Sequence, residues 1–355
     1  MAGRQVSSSS DFRSLAVIVI VAAMLTAAFA YTGGWLSPRR LTPTRIVDSL
    51  SPAGGPALGF RRNHAIGICF TGTFESNGSG ASLSKAELFA PGVYPVTGRF
   101  NLGTSDRSTQ DSMARVRGLS LRVLLPDGRE WRAAMIDVPF FAVSTPDAFY
   151  ALQRALADKI HPHAMDDFAS AHPEFRRFGQ WASNAPWTAS YAEDRYNSLN
   201  SFTFTEADGT QHVVRWSFAP TVVPQLLSAQ QIQKRGPAFL NADITERVTH
   251  APQRWAMLVT VADRGDSTAD PSKPWPANRR TVFVGTLVAK EIQPEANGAC
   301  RDINFDPTVL PPGMGVSDDP FPAARSAAYA ISYNRRTAEE NAYPRNSVPV
   351  GAVQP

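Results

Sequence analysis

Between residues 66 and 143, apolar and polar positions alternate in short bursts separated by turns. Ile66-Gly67-Ile68-Cys69-Phe70, Gly92-Val93-Tyr94-Pro95-Val96 and the run 118–124 have strand length, and Pro126-Asp127-Gly128 after the third is a hairpin signal. A second β block covers 201–218 and turns at Asp208-Gly209; two further strands fall at 255–262 and 281–288. Between these blocks, 146–159 reads as a helix with Phe149, Leu152 and Leu156 on one face and Thr145 as its N-cap. A last helix starts near Pro322 and continues past Arg336. Strands on both sides of a helical excursion predict an α+β fold, an antiparallel β-barrel with helices packed against it.

The first 40 residues have a different pattern. Arg4 and Arg13 precede an apolar run over 15–31 that ends in Ala28-Phe29-Ala30. A basic flank, an apolar middle and a small-residue ending are the parts of a secretory signal. Continuation through Trp35-Leu36 brings the run close to the ~20 residues a bilayer span needs, so a cleaved signal and a retained anchor over 15–36 both remain open. Either places the rest of the chain outside the cytoplasm. Residues 41–345 read as one body, without repeat or Gly/Ser linker, and 346–355 as a tail.

Composition narrows the classes. With 43% hydrophobic and 19% charged residues the 355-residue chain is built to fold. Its 28 prolines and 24 glycines disfavour a helical bundle. A net charge of +4 is too small to imply a nucleic-acid partner. Two cysteines cannot make a disulfide framework, and the absence of CxxC disfavours a zinc ribbon or a covalently attached c-type haem. Cys69 and Cys300 are expected to be buried free thiols, the commoner fate of isolated cysteines; pairing in an oxidising compartment is the alternative.

The residues with chemical potential sit at the two ends. Arg61-Arg62-Asn63-His64-Ala65-x-Gly67 opens the body, followed by Pro95-Val96-x-x-Arg99-Phe100, Arg115-x-Arg117-Gly118-Leu119 and Pro139-Phe140-Phe141. Near the far end, Arg325-x-x-x-Tyr329 lies on the last helix with Arg336 seven residues on. At 100° per residue, offsets of four and seven put all three on one face. Asn200-Ser201-Phe202-Thr203-Phe204, Asp270-Pro271-Ser272-Lys273-x-Trp275-Pro276 and Phe305-Asp306-Pro307 through Asp318-Asp319-Pro320 complete the set. Eight pieces, taken in their order along the chain, resemble the haem catalases over residues 42–336, most closely the short, exported catalase-related peroxidases.

The resemblance implies a catalase-like barrel holding haem b. It makes Tyr329 the axial ligand of the iron, with Arg325 as its charge partner; a phenol ordinarily loses its proton near pH 10, and an adjacent guanidinium favours the anion. It makes His64 the acid–base catalyst, since an imidazole can take the proton from one peroxide oxygen and return it to the other. Arg61, Arg99 and Arg336 become partners of the haem propionates, and Phe141 and Phe149 candidates for stacking on the porphyrin or for core packing. Gly67 and Gly118 would let backbone approach a flat cofactor, or mark strand bulges.

Two positions depart from the family. Asn101 stands where a serine is usual, and Asp137 is the nearest match to a distal asparagine, with one residue fewer before Phe140. An acid there could hold His64 protonated or move protons itself; whether Asp137 faces the haem at all stays open, because the spacing to Phe140 differs. The expected partners are hydrogen peroxide and a small organic donor, with weak catalase activity at most. A non-catalytic haem- or lipid-binding barrel and a converter of lipid hydroperoxides are the competing readings. The shortness of the chain argues for an open haem channel and for a monomer or small homo-oligomer rather than the interlocked catalase tetramer. The implied location is a bacterial periplasm, with or without anchoring to the inner membrane. His161, His163, Asp166, Asp167 and His172 read as loop and helix surface rather than a metal cluster, because Pro162 breaks any helical pairing.

Overall fold

The computed structural model describes residues 8–33, 35 and 40–342; Arg4, Leu36 and the tail 346–355 fall outside them. An N-terminal unit carries helix α1 (Ser8–Thr32), in which Phe12–Thr32 is long and apolar enough to cross a membrane and has its side chains exposed. A signal sequence meets the same test.

The body starts at Pro43 with α2 (Pro43–Ser49), then β1 (Gly67–Ser76), β2 (Gly92–Leu102), β3 (Arg117–Leu124) and β4 (Glu130–Ile136). The helical excursion is α3 (Pro146–Ala157), α4 (Ala164–Ala171) and α5 (Phe175–Asn184). Next come β5 (Trp187–Thr188), β6 (Tyr196–Asn197), β7 (Phe202–Thr205), β8 (Gln211–Pro220), β9 (Leu226–Leu227), α6 (Ala229–Gln233) and α7 (Phe239–His250). The chain closes with β10 (Gln253–Val261), β11 (Thr281–Pro294), β12 (Met314–Val316) and α8 (Phe321–Ala342).

The main sheet runs β10-β11-β1-β2-β3-β4-β6-β8, and β8 pairs back onto β10, so eight antiparallel strands close a barrel. Closure leaves no exposed edge around the ring; β7 and β12 extend from β8 as a flap. Inward-facing positions fill the barrel with large side chains: Phe70, Phe100, Trp131, Phe218 and Trp255 are each fully buried. Phe100 stacks on Phe70 at 4.8 Å and on Tyr191 at 5.3 Å. The interior is therefore a packed core, and the functional cavity must lie outside it, between barrel wall and helices.

That cavity is framed by α2, α3 and α8. Thr145 caps α3, its hydroxyl accepting from the Ala148 N–H at 3.2 Å, and Pro146 occupies the first turn, where no N–H is needed. Phe141 meets Phe149 at 5.9 Å and Phe321 at 5.0 Å, tying α3 to the start of α8.

The cysteines differ from expectation. Cys69 on β1 and Cys300 in the loop after β11 form a disulfide, with Cα atoms 5.3 Å apart. The register of β1 against β11 places Cys69 opposite Gln293, only a few residues from where the chain loops back through Cys300. Residues 231 positions apart thus meet, which spacing alone does not reveal.

Candidate active site

A cavity of about 390 Å³ lies between the outside of β2–β4 and the three helices. His64, Arg61, Arg99 and Asn101 line it from the barrel side, and Arg325, Tyr329 and Arg336 from α8. Phe141 and Phe149 belong to its wall. On α8 the lining positions are 321, 324, 325, 328, 329, 332, 333 and 336, a continuous stripe at helical spacing. Ala324, Ala328 and Ser332 keep that stripe low, so that Arg325, Tyr329 and Arg336 project beyond it.

His64 sits in the segment leading into β1 with φ of 54°, in the left-handed region. Its backbone N–H is received by the Asn63 side chain at 2.9 Å. Strain of this kind persists where surrounding contacts fix it and is concentrated at functional sites. The His64 Nδ1 and the Asn101 Oδ1 are buried polar atoms without a hydrogen-bond partner. Burial first, and the nearby Arg99 second, push the imidazole down to about 4, with Asn101 opposing and Arg325 and Arg61 adding to the depression. The imidazole is therefore neutral near pH 7. The fields at His64 come from cations, the reverse of the protonating acid the sequence suggested.

Asp137 accounts for that difference. The cavity wall includes Ile136 but not Asp137. The Asp137 carboxylate accepts from the Arg117 N–H at 2.8 Å, and its own N–H is received by the Arg117 carbonyl. Burial and Asp194 raise its pKa. It belongs to a buried group with Arg117 and Asp194, none of which lines the cavity. Asp137 lies just past the end of β4, where its carboxylate is taken by the Arg117 backbone and not by the cavity.

The two glycines have a specific reason. A Cβ at Gly67 would lie 2.5 Å from the Arg99 guanidinium carbon and 2.5 Å from the Phe100 carbonyl oxygen. A Cβ at Gly118 would overlap the Asn101 amide oxygen. Both therefore make room for side chains of the site.

On α8, the Arg325 guanidinium donates to the Tyr329 hydroxyl at 3.0 Å, to Asn200 Oδ1 at 2.7 Å and to the Ala134 carbonyl at 2.7 Å. Asn200 in turn donates to Asp319 at 3.0 Å. Two stretches that stood out in the sequence thus orient one arginine. Arg61 donates to the carbonyls of Cys300 and Ile303, both at 3.1 Å, and Arg336 to that of Arg301 at 2.7 Å. Arg61 and Arg99 are both paired with Glu295, which sequence reasoning passed over. Among the described residues no group of three or more His, Cys, Asp or Glu is placed to hold a metal. His161 pairs with Asp158 and His163 with Asp166 on the surface.

A closed eight-stranded barrel carrying this cavity against a C-terminal helix is the catalase class of fold. The chain belongs to the catalase family: the family description "Catalase" matches residues 54–352. It is 32% identical to a catalase-related peroxidase of Synechococcus elongatus over 91% of this chain and 95% of that protein. A catalase-related peroxidase of Mycolicibacterium paratuberculosis is 30% identical over 84% of this chain and 95% of its own length. Wheat catalase is 24% identical, and this chain spans only 66% of it. Catalase A of Saccharomyces cerevisiae superposes with a TM-score of 0.71 at 18% identity, covering 79% of this chain and 62% of the yeast chain.

Proteins of the catalase family bind haem, and the cavity fits one. It offers a phenol as an oxygen ligand for iron, three guanidinium groups for carboxylates, and two orphaned polar atoms, on His64 and Asn101, that need a bound partner.

Proposed function

We propose that this protein is a haem b peroxidase that reduces hydrogen peroxide with a small organic donor, with weak catalase activity beside it. The observation that carries the reading is the convergence of His64, Asn101, Tyr329 and three arginines on one cavity, from segments at opposite ends of a catalase-family chain. The two relatives matched over 95% of their own length are both named catalase-related peroxidases.

Tyr329 is the residue that would hold the iron, with Arg325 against its oxygen. Arg61, Arg99 and Arg336 would hold the propionates, and Phe141 and Phe149 would flank the ring. Bound haem supplies the redox-active iron that accepts two oxidising equivalents from peroxide. The chain's own residues manage protons and access. A neutral His64 takes the proton from the near peroxide oxygen and returns it to the departing one, so that water leaves. Asn101 completes the polar side of the peroxide site. Overall, one peroxide and two donor molecules, each giving an electron and a proton, yield two waters and two donor radicals. Ile46, Val47, Leu50, Leu152 and Leu156 make part of the cavity wall apolar, which supports organic hydroperoxides as further substrates.

The disulfide supports export to an oxidising compartment, with α1 as signal or anchor. The test is one absorption spectrum of purified protein, then peroxide-dependent donor oxidation by wild type, His64→Ala and Tyr329→Phe. A haem spectrum, a loss of roughly 10²–10⁴-fold in His64→Ala and an altered spectrum in Tyr329→Phe are expected. Full activity in His64→Ala or an unaltered spectrum in Tyr329→Phe overturns the corresponding role.

A further inference from the structure

Glu295 follows the last residue of β11 and points into the cluster of cavity arginines. Both its oxygens are used. Arg99 approaches as a fork, Nε to Oε1 at 2.9 Å and Nη2 to Oε2 at 2.8 Å, and Arg61 shares Oε1. Bidentate pairing fixes the plane of a guanidinium as well as its position. The Glu295 side chain is 15% exposed and that of Arg99 only 2%. Burial alone would raise the Glu295 carboxyl, but Arg99 and Arg61 together hold it below the usual carboxylate range. It is an anion within a group of cations.

The surrounding backbone is arranged around this pair. Gly67 lacks the Cβ that would strike the Arg99 fork. The loop that starts at Glu295 supplies carbonyl acceptors from Cys300, Arg301 and Ile303 to Arg61 and Arg336, and Cys300 is bonded to Cys69 on β1. One strand end, one loop and one disulfide therefore fix three guanidinium groups. If Glu295 only filled space in place of propionates, a matching fork and a glycine cleared for its partner would have no purpose.

We propose that Glu295 is a positioning residue of the haem site. It stays paired in the loaded protein, would present the remaining donors of Arg61 and Arg99 to the propionates, and lowers the net positive charge of that arginine cluster. This rests on the propionate role of the arginines proposed above. Glu295 touches neither peroxide nor donor.

The test compares wild type, Glu295→Gln and Glu295→Asp as purified holoproteins. Three readouts are taken: haem release to excess apomyoglobin, the reduction potential of the iron, and the denaturation midpoint of the haem-free protein. Glu295→Gln keeps the shape but loses the charge. Haem release at least ~10-fold faster, equivalent to about 1.4 kcal/mol, is expected, together with a more positive potential. Glu295→Asp should recover most of the potential. Unchanged release and potential in Glu295→Gln, whatever happens to the midpoint, would make Glu295 purely structural and overturn the proposal. Equal potentials in the Gln and Asp variants, both shifted from wild type, overturn the charge argument likewise. Wild type that takes up no haem removes the underlying haem reading, a failure visible before any variant is compared.

Discussion

Breaking the bond between Cys69 and Cys300 should be costly, and the cost can be worked out. The bridge closes a loop of 231 residues. In the chain-entropy description such a loop removes about 18 cal/mol/K from the unfolded ensemble, or about 5 kcal/mol at 25 °C. Residual structure in the unfolded chain reduces this, so a loss of roughly 3–5 kcal/mol is expected. For a body of about 300 residues, unfolding entropy near 2.1 cal/mol/K per residue turns that into a fall in Tm of about 5–8 °C. Both sulfurs are buried beside Ile303 and Phe305, so the Cys69→Ala/Cys300→Ala variant leaves no unsatisfied polar atom and serves as the second measurement. The assay is thermal unfolding with and without reductant, with thiol titration to confirm that two thiols per chain are released. If both thiols titrate and the Tm moves by less than about 1 °C, the entropic account is wrong.

Gly67→Ala should displace Arg99 or the β2 backbone, since the added carbon would sit 2.5 Å from both; a loss of about 1–3 kcal/mol and reduced haem content follow, checked by denaturation and the haem-to-protein absorbance ratio. Because burial and Arg99 set His64 to about 4, its neutral, proton-accepting form persists as pH falls from 7 to 5 and is lost only through about 4. The acid limb of kcat/KM for donor oxidation should therefore centre near pH 4, and a limb centred above pH 6 contradicts the environment described. Asp137→Asn keeps an oxygen to accept from the Arg117 N–H and should leave donor oxidation within about twofold; a tenfold loss would return Asp137 to the peroxide chemistry.

Much of this arrangement was legible because it is periodic. Alternation marked the barrel strands, and the 3.6-residue repeat put Arg325, Tyr329 and Arg336 on the face of α8 that the cavity uses. Other parts depend on meetings between distant positions. Glu295 is 196 residues from Arg99 and belongs to no repeat, so neither pattern nor spacing draws attention to it. The disulfide joins residues 231 positions apart and carries no local signal either. Nearness to Pro139 is all the sequence offers for Asp137, and what its carboxylate meets, the Arg117 backbone, is 20 residues away along the chain. Whether Asp137 reaches His64 is open in the sequence for the same reason, and in the structure the charges nearest His64 are arginines. Asn200 and Asp319 stood out only as pieces of longer stretches, and their shared task of steering Arg325 is visible only once the β7 flap and α8 are folded together.

The cavity takes one wall from His64 and the other from Tyr329, 265 residues later. At about 5–20 residues per second, synthesis separates these two by some 13–50 s. A nascent chain can thus make the barrel but cannot close the pocket. Whatever fills the pocket must therefore be captured by a nearly finished polypeptide.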